Sequence, residues 1–263
     1  MKASVKFVVC IFLFSISLAH GGDTVSLEAR EIAKRASEVD KYRSWSASIE
    51  VTQRSANGNT SSKSGITKMK LGEDGRPMRL FLFSSPGDIA GTTLLNIEKP
   101  GYEDNMWLYL PAIGRTRQIA SGNKKNSFVG TEFTFSDLAT PKTDLYDHRI
   151  VDEVVRQEAD HYVVLSTAKN QDVVEDYGYQ KVKSWIRKDN FTTTKILYFD
   201  EEGKKFKRQN IRDFVKLDNE GHWLARHRVM ENLTSQDKTL FVLDDVKTDI
   251  KNDHQFNPNR LGM

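Results

Sequence analysis

The chain has 263 residues, 38% of them hydrophobic and 29% charged, with 39 Lys and Arg against 36 Asp and Glu. A net charge of +3 is too small an excess to mark a nucleic-acid partner. The one cysteine, Cys10, falls in an N-terminal leader, so a processed chain has no disulfide, no thiolate nucleophile and no zinc–cysteine site.

The leader is expected over residues 1–21. Lys2 and Lys6 supply a positive start, Phe7 to Leu18 an apolar run, and Ala19-His20-Gly21 a small-x-small cleavage signal. The apolar run is about a dozen residues, short of the roughly 20 that cross a bilayer. It therefore reads as a secretory signal rather than an anchor. Cys10 lies too early for a lipoprotein cleavage site. The rest, residues 22–263, shows no linker and no internal repeat, and reads as a single domain.

Thr24 to Asp40 is predicted to be a helix, with Ser26 as its cap and Leu27, Ile32, Ala33, Ala36 and Val39 on one stripe. From Trp45 the period changes to two: Ala47, Ile49 and Val51 alternate with polar residues, the pattern of a strand with one wet face. The polar stretch Ser55 to Gly65 reads as a loop, followed by a strand at Thr67 to Leu71. Met78 to Ser84 differs, because Leu80 and Leu82 oppose Phe81 and Phe83, so both faces need cover. Thr92 to Ile97 is a similar short strand. In Asn105 to Leu110, Met106, Leu108 and Leu110 oppose Trp107 and Tyr109, and Arg115 to Ile119 pairs back as a hairpin.

Gly122 to Phe135 is predicted to be a long loop carrying Phe128, Val129, Phe133 and Phe135 around Gly130, with a short helical turn at Ser136 to Ala139. It either plugs one end of the sheet or acts as a lid hinged at Gly122 and Gly130. Seven further strands follow in a meander: Arg149 to Gln157, Tyr162 to Ala168, Lys181 to Lys188, Thr192 to Phe199, Lys205 to Leu217, His222 to Leu233 and Lys238 to Val246. About ten or eleven strands with one long helix define a mainly β, α+β chain. A curved antiparallel sheet with the helix lying across one face fits this count.

Familiar catalytic motifs are missing: there is no nucleophile elbow, no P-loop and no dinucleotide fingerprint. His222 and His227 are five apart on a predicted strand and point to opposite faces, which argues against a shared metal. His148 and His161 each follow an aspartate beside a predicted turn, where turn chemistry accounts for them. Asp244 and Asp245 are adjacent in a strand and face apart. The expectation is a protein that is no enzyme, with no metal and no cofactor. The apolar surplus on two strands either packs a filled core or lines a cavity for an apolar ligand.

Three stretches carry a family resemblance: Asn105-Met106-Trp107-Leu108-Tyr109-Leu110-Pro111, Arg115-Thr116-Arg117-Gln118-Ile119, and Ser127-Phe128-Val129-Gly130-Thr131-Glu132-Phe133-Thr134-Phe135-Ser136-Asp137-Leu138. Together they resemble the outer membrane lipoprotein-sorting protein family, which is similar to the periplasmic lipoprotein carrier LolA and its acceptor LolB. The resemblance implies an incomplete antiparallel β-barrel, a half-barrel, with an N-terminal helix and a helical or loop lid over its concave face. It implies a periplasmic location in a bacterium, a lipid or lipid-modified protein as cargo, transient membrane contact, and an inner-membrane exporter of the RND type as a partner.

On this reading Leu80, Leu82, Met106, Leu108 and Leu110 line the cavity, with Trp107, Tyr109, Phe128, Phe133 and Phe135 at its mouth or lid. Which strand face turns inward is left open, so the two sets can exchange. The competing functions are a sensor or adaptor that binds lipid or an exporter without net transfer, and an envelope lipid hydrolase.

Overall fold

The computed structural model describes residues 21–99, 104–251 and 254–263. The expected leader lies outside the described residues except for Gly21. Among the described residues two α-helices, α1 (Gly21–Glu38) and α2 (Gln171–Tyr177), accompany thirteen strands. These are β1 (Ser44–Arg54), β2 (Thr60–Leu71), β3 (Pro77–Ser85), β4 (Thr93–Ile97), β5 (Asn105–Leu110), β6 (Arg115–Gln118), β7 (Tyr146–Arg156), β8 (Ala159–Ala168), β9 (Lys181–Arg187), β10 (Thr193–Phe199), β11 (Lys205–Lys216), β12 (Trp223–Asn232) and β13 (Lys238–Thr248).

All thirteen belong to one antiparallel sheet, ordered β6-β5-β4-β3-β2-β1-β13-β12-β11-β10-β9-β8-β7. The chain thus makes two meanders that run outward from the centre, where β1 pairs with β13 through partners such as Ile49 and Leu243, and Val51 and Phe241. β6 and β7 are the two edges and do not pair with each other, so the sheet curves without closing. Bulges in β13, β3 and β7 add to the bend. Opposite the β3 bulge, Gly65 of β2 passes so close to β3 that a Cβ would lie 2.1 Å from the Leu82 carbonyl oxygen. Only glycine fits there.

β2 begins at Thr60, within the polar stretch expected to be loop. Every residue from Thr60 to Gly65 has a partner in β1, from Arg54 to Ile49. Backbone pairing across a tight turn suffices here, since these side chains bury little and leave no apolar alternation in the sequence. α1 starts at Gly21, so Ser26 lies inside the helix rather than at its cap, and Leu27 is exposed. Its buried stripe is Ala29 and Ile32, with Ala36 one turn on; Ile32 packs on Val164 of β8 and Ile186 of β9. Small residues at two of these three positions let the helix approach the sheet.

α2 is only two turns long. The Asn170 side chain accepts a hydrogen bond from the Val173 N–H, and Gly178 ends the helix in the left-handed region at φ 83°. Among the described residues no helix is long and apolar enough to cross a membrane.

The main core joins Trp45, Ala47, Ile49 and Val51 of β1 to Met69 of β2, Phe83 of β3, Leu94 of β4, Met106 of β5, Leu224 and Met230 of β12, and Phe241 and Leu243 of β13. Residues from both meanders meet on this face, so it is the concave one. A second, smaller core lies on the convex face. There Leu80 and Leu95 pack with Met78, Leu82, Trp107 and Tyr109 beneath Phe256 and Leu261 of the C-terminal tail. The tail sits so tightly that a Cβ on Gly262 would lie 2.2 Å from the Tyr109 ring.

Candidate functional site: a covered hollow on the concave face

The segment 120–145, between β6 and β7, crosses the concave face. Phe128 is fully buried against Phe81, Phe83 and Phe135, with ring centroids 5.9, 5.7 and 5.6 Å away. Phe133 stacks on Phe241 of β13 at 4.2 Å. Polar contacts pin the segment along its length. Gln53 of β1 donates to the Gly130 carbonyl at 2.5 Å, and the Glu132 N–H donates to Thr239 Oγ1 at 3.0 Å. Val129 and Gly130 turn the chain with φ of 50° and 74°.

The strongest anchor is a buried triad. Lys207 Nζ of β11 donates to Asp137 Oδ2 at 2.5 Å and to the Tyr179 hydroxyl at 2.8 Å, and that hydroxyl donates to Asp137 Oδ1 at 2.7 Å. Burial, with the Asp137 charge beside it, pushes the Tyr179 hydroxyl well above its ordinary range, so it remains a donor.

Between this segment, α1 and the sheet lies a hollow of about 280 Å³. Its size is just below the roughly 300–1,000 Å³ common for ligand pockets. Its apolar wall includes Ala33 and Ala36 of α1, Ile49, Phe81, Phe133, Val164, Ile186, Ile196, Leu224 and Leu243. The wall is not purely apolar. Asp40, just after α1, is held by Arg79 of β3 in a two-pronged ion pair, with both N–O distances 2.9 Å. Arg79 also donates to Thr140 Oγ1 of the covering segment at 3.4 Å. Burial pushes the Asp40 carboxyl up, but attraction and hydrogen bonding from Arg79, with Arg228 adding to them, outweigh this and hold it below the ordinary carboxylate range.

His148 also lines the hollow. Its Nε2 donates to the Thr143 carbonyl and its Nδ1 accepts from Ser166 Oγ, both at 2.8 Å. Burial lowers its pKa, which favours the neutral ring these bonds require. His161 is satisfied in the same way by the Ala159 carbonyl at 2.8 Å and by Thr194 Oγ1 at 3.0 Å.

The ten residues expected to form one cavity and its lid do not share a wall. Leu80 and Leu82 face the convex side with Trp107 and Tyr109, under the C-terminal tail. Met106 and Leu108 face the concave side, where they belong to the packed core rather than to the hollow's lining. Leu110 ends β5, half-buried and outside that lining. Of the predicted mouth or lid residues, Phe133 lines the hollow, while Phe128 and Phe135 pack behind it.

The physical reason is parity. Side chains alternate along a strand, and the register Leu80–Leu95–Trp107 places the even residues of β3 with the odd residues of β5. Without the register, the sequence alone mixes the two faces. The charged residues of the site carry a weaker signal in the sequence. Arg79 interrupts an otherwise apolar strand, Met78 to Phe83, and that interruption was a readable signal. Lys207 and Arg228 sit among other charged residues and gave none.

An open antiparallel sheet, curved around an apolar hollow and covered by a helix and a long aromatic segment, is the LolA-like fold, and among the solved structures that share it three are similar over most of this chain. A Vibrio parahaemolyticus domain, provisionally described as an outer membrane lipoprotein-sorting protein, is 24% identical, with a TM-score of 0.82 over 90% of this chain and 100% of that one. A DUF1329 family protein from Desulfovibrio piger is 23% identical, with a TM-score of 0.81 over 90% and 99%. A LolA superfamily protein from Nitrosomonas europaea is 17% identical, with a TM-score of 0.66 over 87% and 97%. No curated protein matches the chain in sequence. A family model, described as that of an uncharacterized protein, matches residues 75–263, and the chain belongs to that family.

Proposed function

We propose that this protein is a periplasmic, non-catalytic carrier that shelters the acyl part of a lipid or lipid-modified protein between the inner and outer membranes. The observation that carries the reading is the apolar hollow between α1, the concave sheet face and segment 120–145. The shared fold and the N-terminal leader pattern support the compartment and the cargo class. Each methylene removed from water contributes about 0.8 kcal/mol, so one chain of ordinary length supplies ample affinity. Entry and release proceed by movement of segment 120–145, with Gly122 and Gly130 as hinges. Phe128, Phe133 and Phe135 are then the lid's apolar face, and Met106 and Leu108 belong to the floor beneath it. An inner-membrane exporter of the RND type supplies the cargo, and contact with each membrane is transient.

The test is native mass spectrometry of the protein purified from its own periplasm, followed by solvent extraction and lipid identification. The expected result is a co-purifying lipid or acylated peptide, lost in Ala36→Trp, which fills the hollow, while the thermal melt is retained. A clean unliganded mass with no uptake of added lipid would sink the carrier and favour a protein-binding adaptor.

A further inference from the structure

One charged group in the hollow lacks a counterpart. Arg228 of β12 faces the concave side, flanked in register by Ile211 of β11 and Phe241 of β13, and lines the hollow. Its Nε is buried with no hydrogen-bond partner. No side-chain hydrogen bond and no ion pair within 4.0 Å engages its guanidinium among the described residues. The nearest source of negative charge is Asp40, but both carboxylate oxygens of Asp40 are taken by Arg79. Burial drags the Arg228 guanidinium down from its ordinary pKa, the charge of Arg79 adds to this, and the longer-range pulls of Asp40 and, less, of Tyr198 work against it. An arginine does not discharge in response. Of the charged groups that line the hollow, Asp40 is paired with Arg79, Asp137 with Lys207, Lys142 with Asp104 and Arg226 with Asp213, which leaves Arg228 as the one without a direct counterpart among the described residues. Buried charges are normally paired and hydrogen-bonded, because an unpaired one is costly.

We propose that Arg228 is the head-group subsite of the hollow, and that the cargo is an amphiphile with an anionic oxygen head, a carboxylate or a phosphate. This rests on the carrier reading and narrows it. The acyl tail lies along the aliphatic wall of Ile49, Ile196 and Leu224, and the head accepts charge-assisted hydrogen bonds from Arg228. A guanidinium presents a planar fork of donors that matches a carboxylate or phosphate in two-pronged fashion. The chains of a lipid-modified protein are joined through uncharged esters and amides, and would leave Arg228 unpaired. The site thus favours a free anionic lipid over a lipoprotein.

The experiment is titration of the mature protein at pH 8 with dodecanoate, with dodecanol and with inorganic phosphate, repeated on Arg228→Met and Arg228→Gln. Dodecanoate is expected to bind at least tenfold more tightly than dodecanol. Both variants are expected to lose that preference while dodecanol binding stays within about twofold. Equal affinity of the two amphiphiles for the wild type would overturn the proposal and leave the carrier standing. So would a preference that survives both substitutions. Inorganic phosphate binding as tightly as dodecanoate would make the site a plain anion site and overturn the amphiphile. Failure of both amphiphiles to bind would remove the carrier reading itself. Arg228→Met is expected to keep or raise Tm, since it removes an unpaired buried charge. A large fall in Tm with loss of dodecanol binding would make Arg228 a structural partner of Asp40 and overturn its role as a subsite.

Discussion

β3 and β5 are apolar on both faces, and the two faces are covered in different ways. On the concave side, Phe81, Phe83, Met106 and Leu108 meet segment 120–145, which brings three phenylalanines and a buried ion pair. On the convex side, Leu80, Leu82, Trp107 and Tyr109 meet the C-terminal tail, which brings Phe256 and Leu261. The tail's polar ties include Lys68, which donates to Gln255 at 3.0 Å, and Lys70, which sits over the Phe256 ring at 5.0 Å. The first cover is tied to strands of both meanders and leaves a hollow beside it. The second rests on strands of one meander. Equal apolarity in the sequence therefore answers to two structural needs, and each cover leaves a space beside it, about 280 Å³ under segment 120–145 and about 320 Å³ beside the tail.

Substitutions on the two covers should separate them. Phe128→Ala empties a fully buried site shared by β3 and the covering segment, and is expected to lower global stability by about 3–5 kcal/mol in urea unfolding. A loss under 1 kcal/mol would show that the segment is not part of the cooperative core. Asp137→Ala strands the Lys207 ammonium and should cost about 3 kcal/mol, at the lower end of the range for a broken buried pair because the Tyr179 hydroxyl still reaches Lys207. Leu261→Ala should cost about 2 kcal/mol, the low end for leucine, since a terminal tail can settle into the space. Hydrogen exchange should show this loss at the β3 and β5 amides with little change at β11 and β12. Uniform loss across the sheet would erase the distinction between the covers.

A pH dependence should follow from the two buried histidines. Burial lowers the pKa of both His148 and His161 in the folded chain. Below about pH 6.5 the unfolded chain takes up protons that the folded chain refuses, so stability falls as the pH drops through that value. Each histidine can contribute a slope of at most about 1.4 kcal/mol per pH unit. His148→Gln, measured by Tm between pH 7.5 and 5, should flatten part of this slope; an unchanged slope would remove His148 as a cause. The smallest effect is expected at the rim. Arg30 of α1 pairs with Asp144 of the covering segment at 2.6 Å, but both side chains are largely exposed. Arg30→Ala should cost under about 1 kcal/mol, and the cost should fade as salt is added.

Most strands were legible because a half-buried strand writes its period into the side chains. β1, with Trp45, Ala47, Ile49 and Val51 buried in alternation, is the clearest instance. The start of β2 was not legible, because Thr60 to Gly65 contributes backbone hydrogen bonds and little buried side-chain surface. α2 is too short to show a helical period and is defined by its Asn170 cap and Gly178 stop. The aromatic segment was recognised as a plug or a lid, and its phenylalanines do lie buried on the concave face. The hollow's lining was harder to read, since only one of the ten chosen residues, Phe133, reaches it.

By itself the sequence determined the local matters: an amphipathic helix near the start, a run of antiparallel strands, an aromatic segment needing cover, and two strands with no wet face. These follow from periodicity, which any short window of chain carries. The tertiary structure alone decided which face of β3 and β5 turns inward, that the C-terminal tail shields the other face, and that Arg79 claims both oxygens of Asp40 while Arg228 is left without a direct partner among the described residues. Those outcomes depend on register and on contacts between residues far apart in the chain. Asp40 and Arg228 become neighbours only when both meanders fold around one hollow, and no local pattern records their distance.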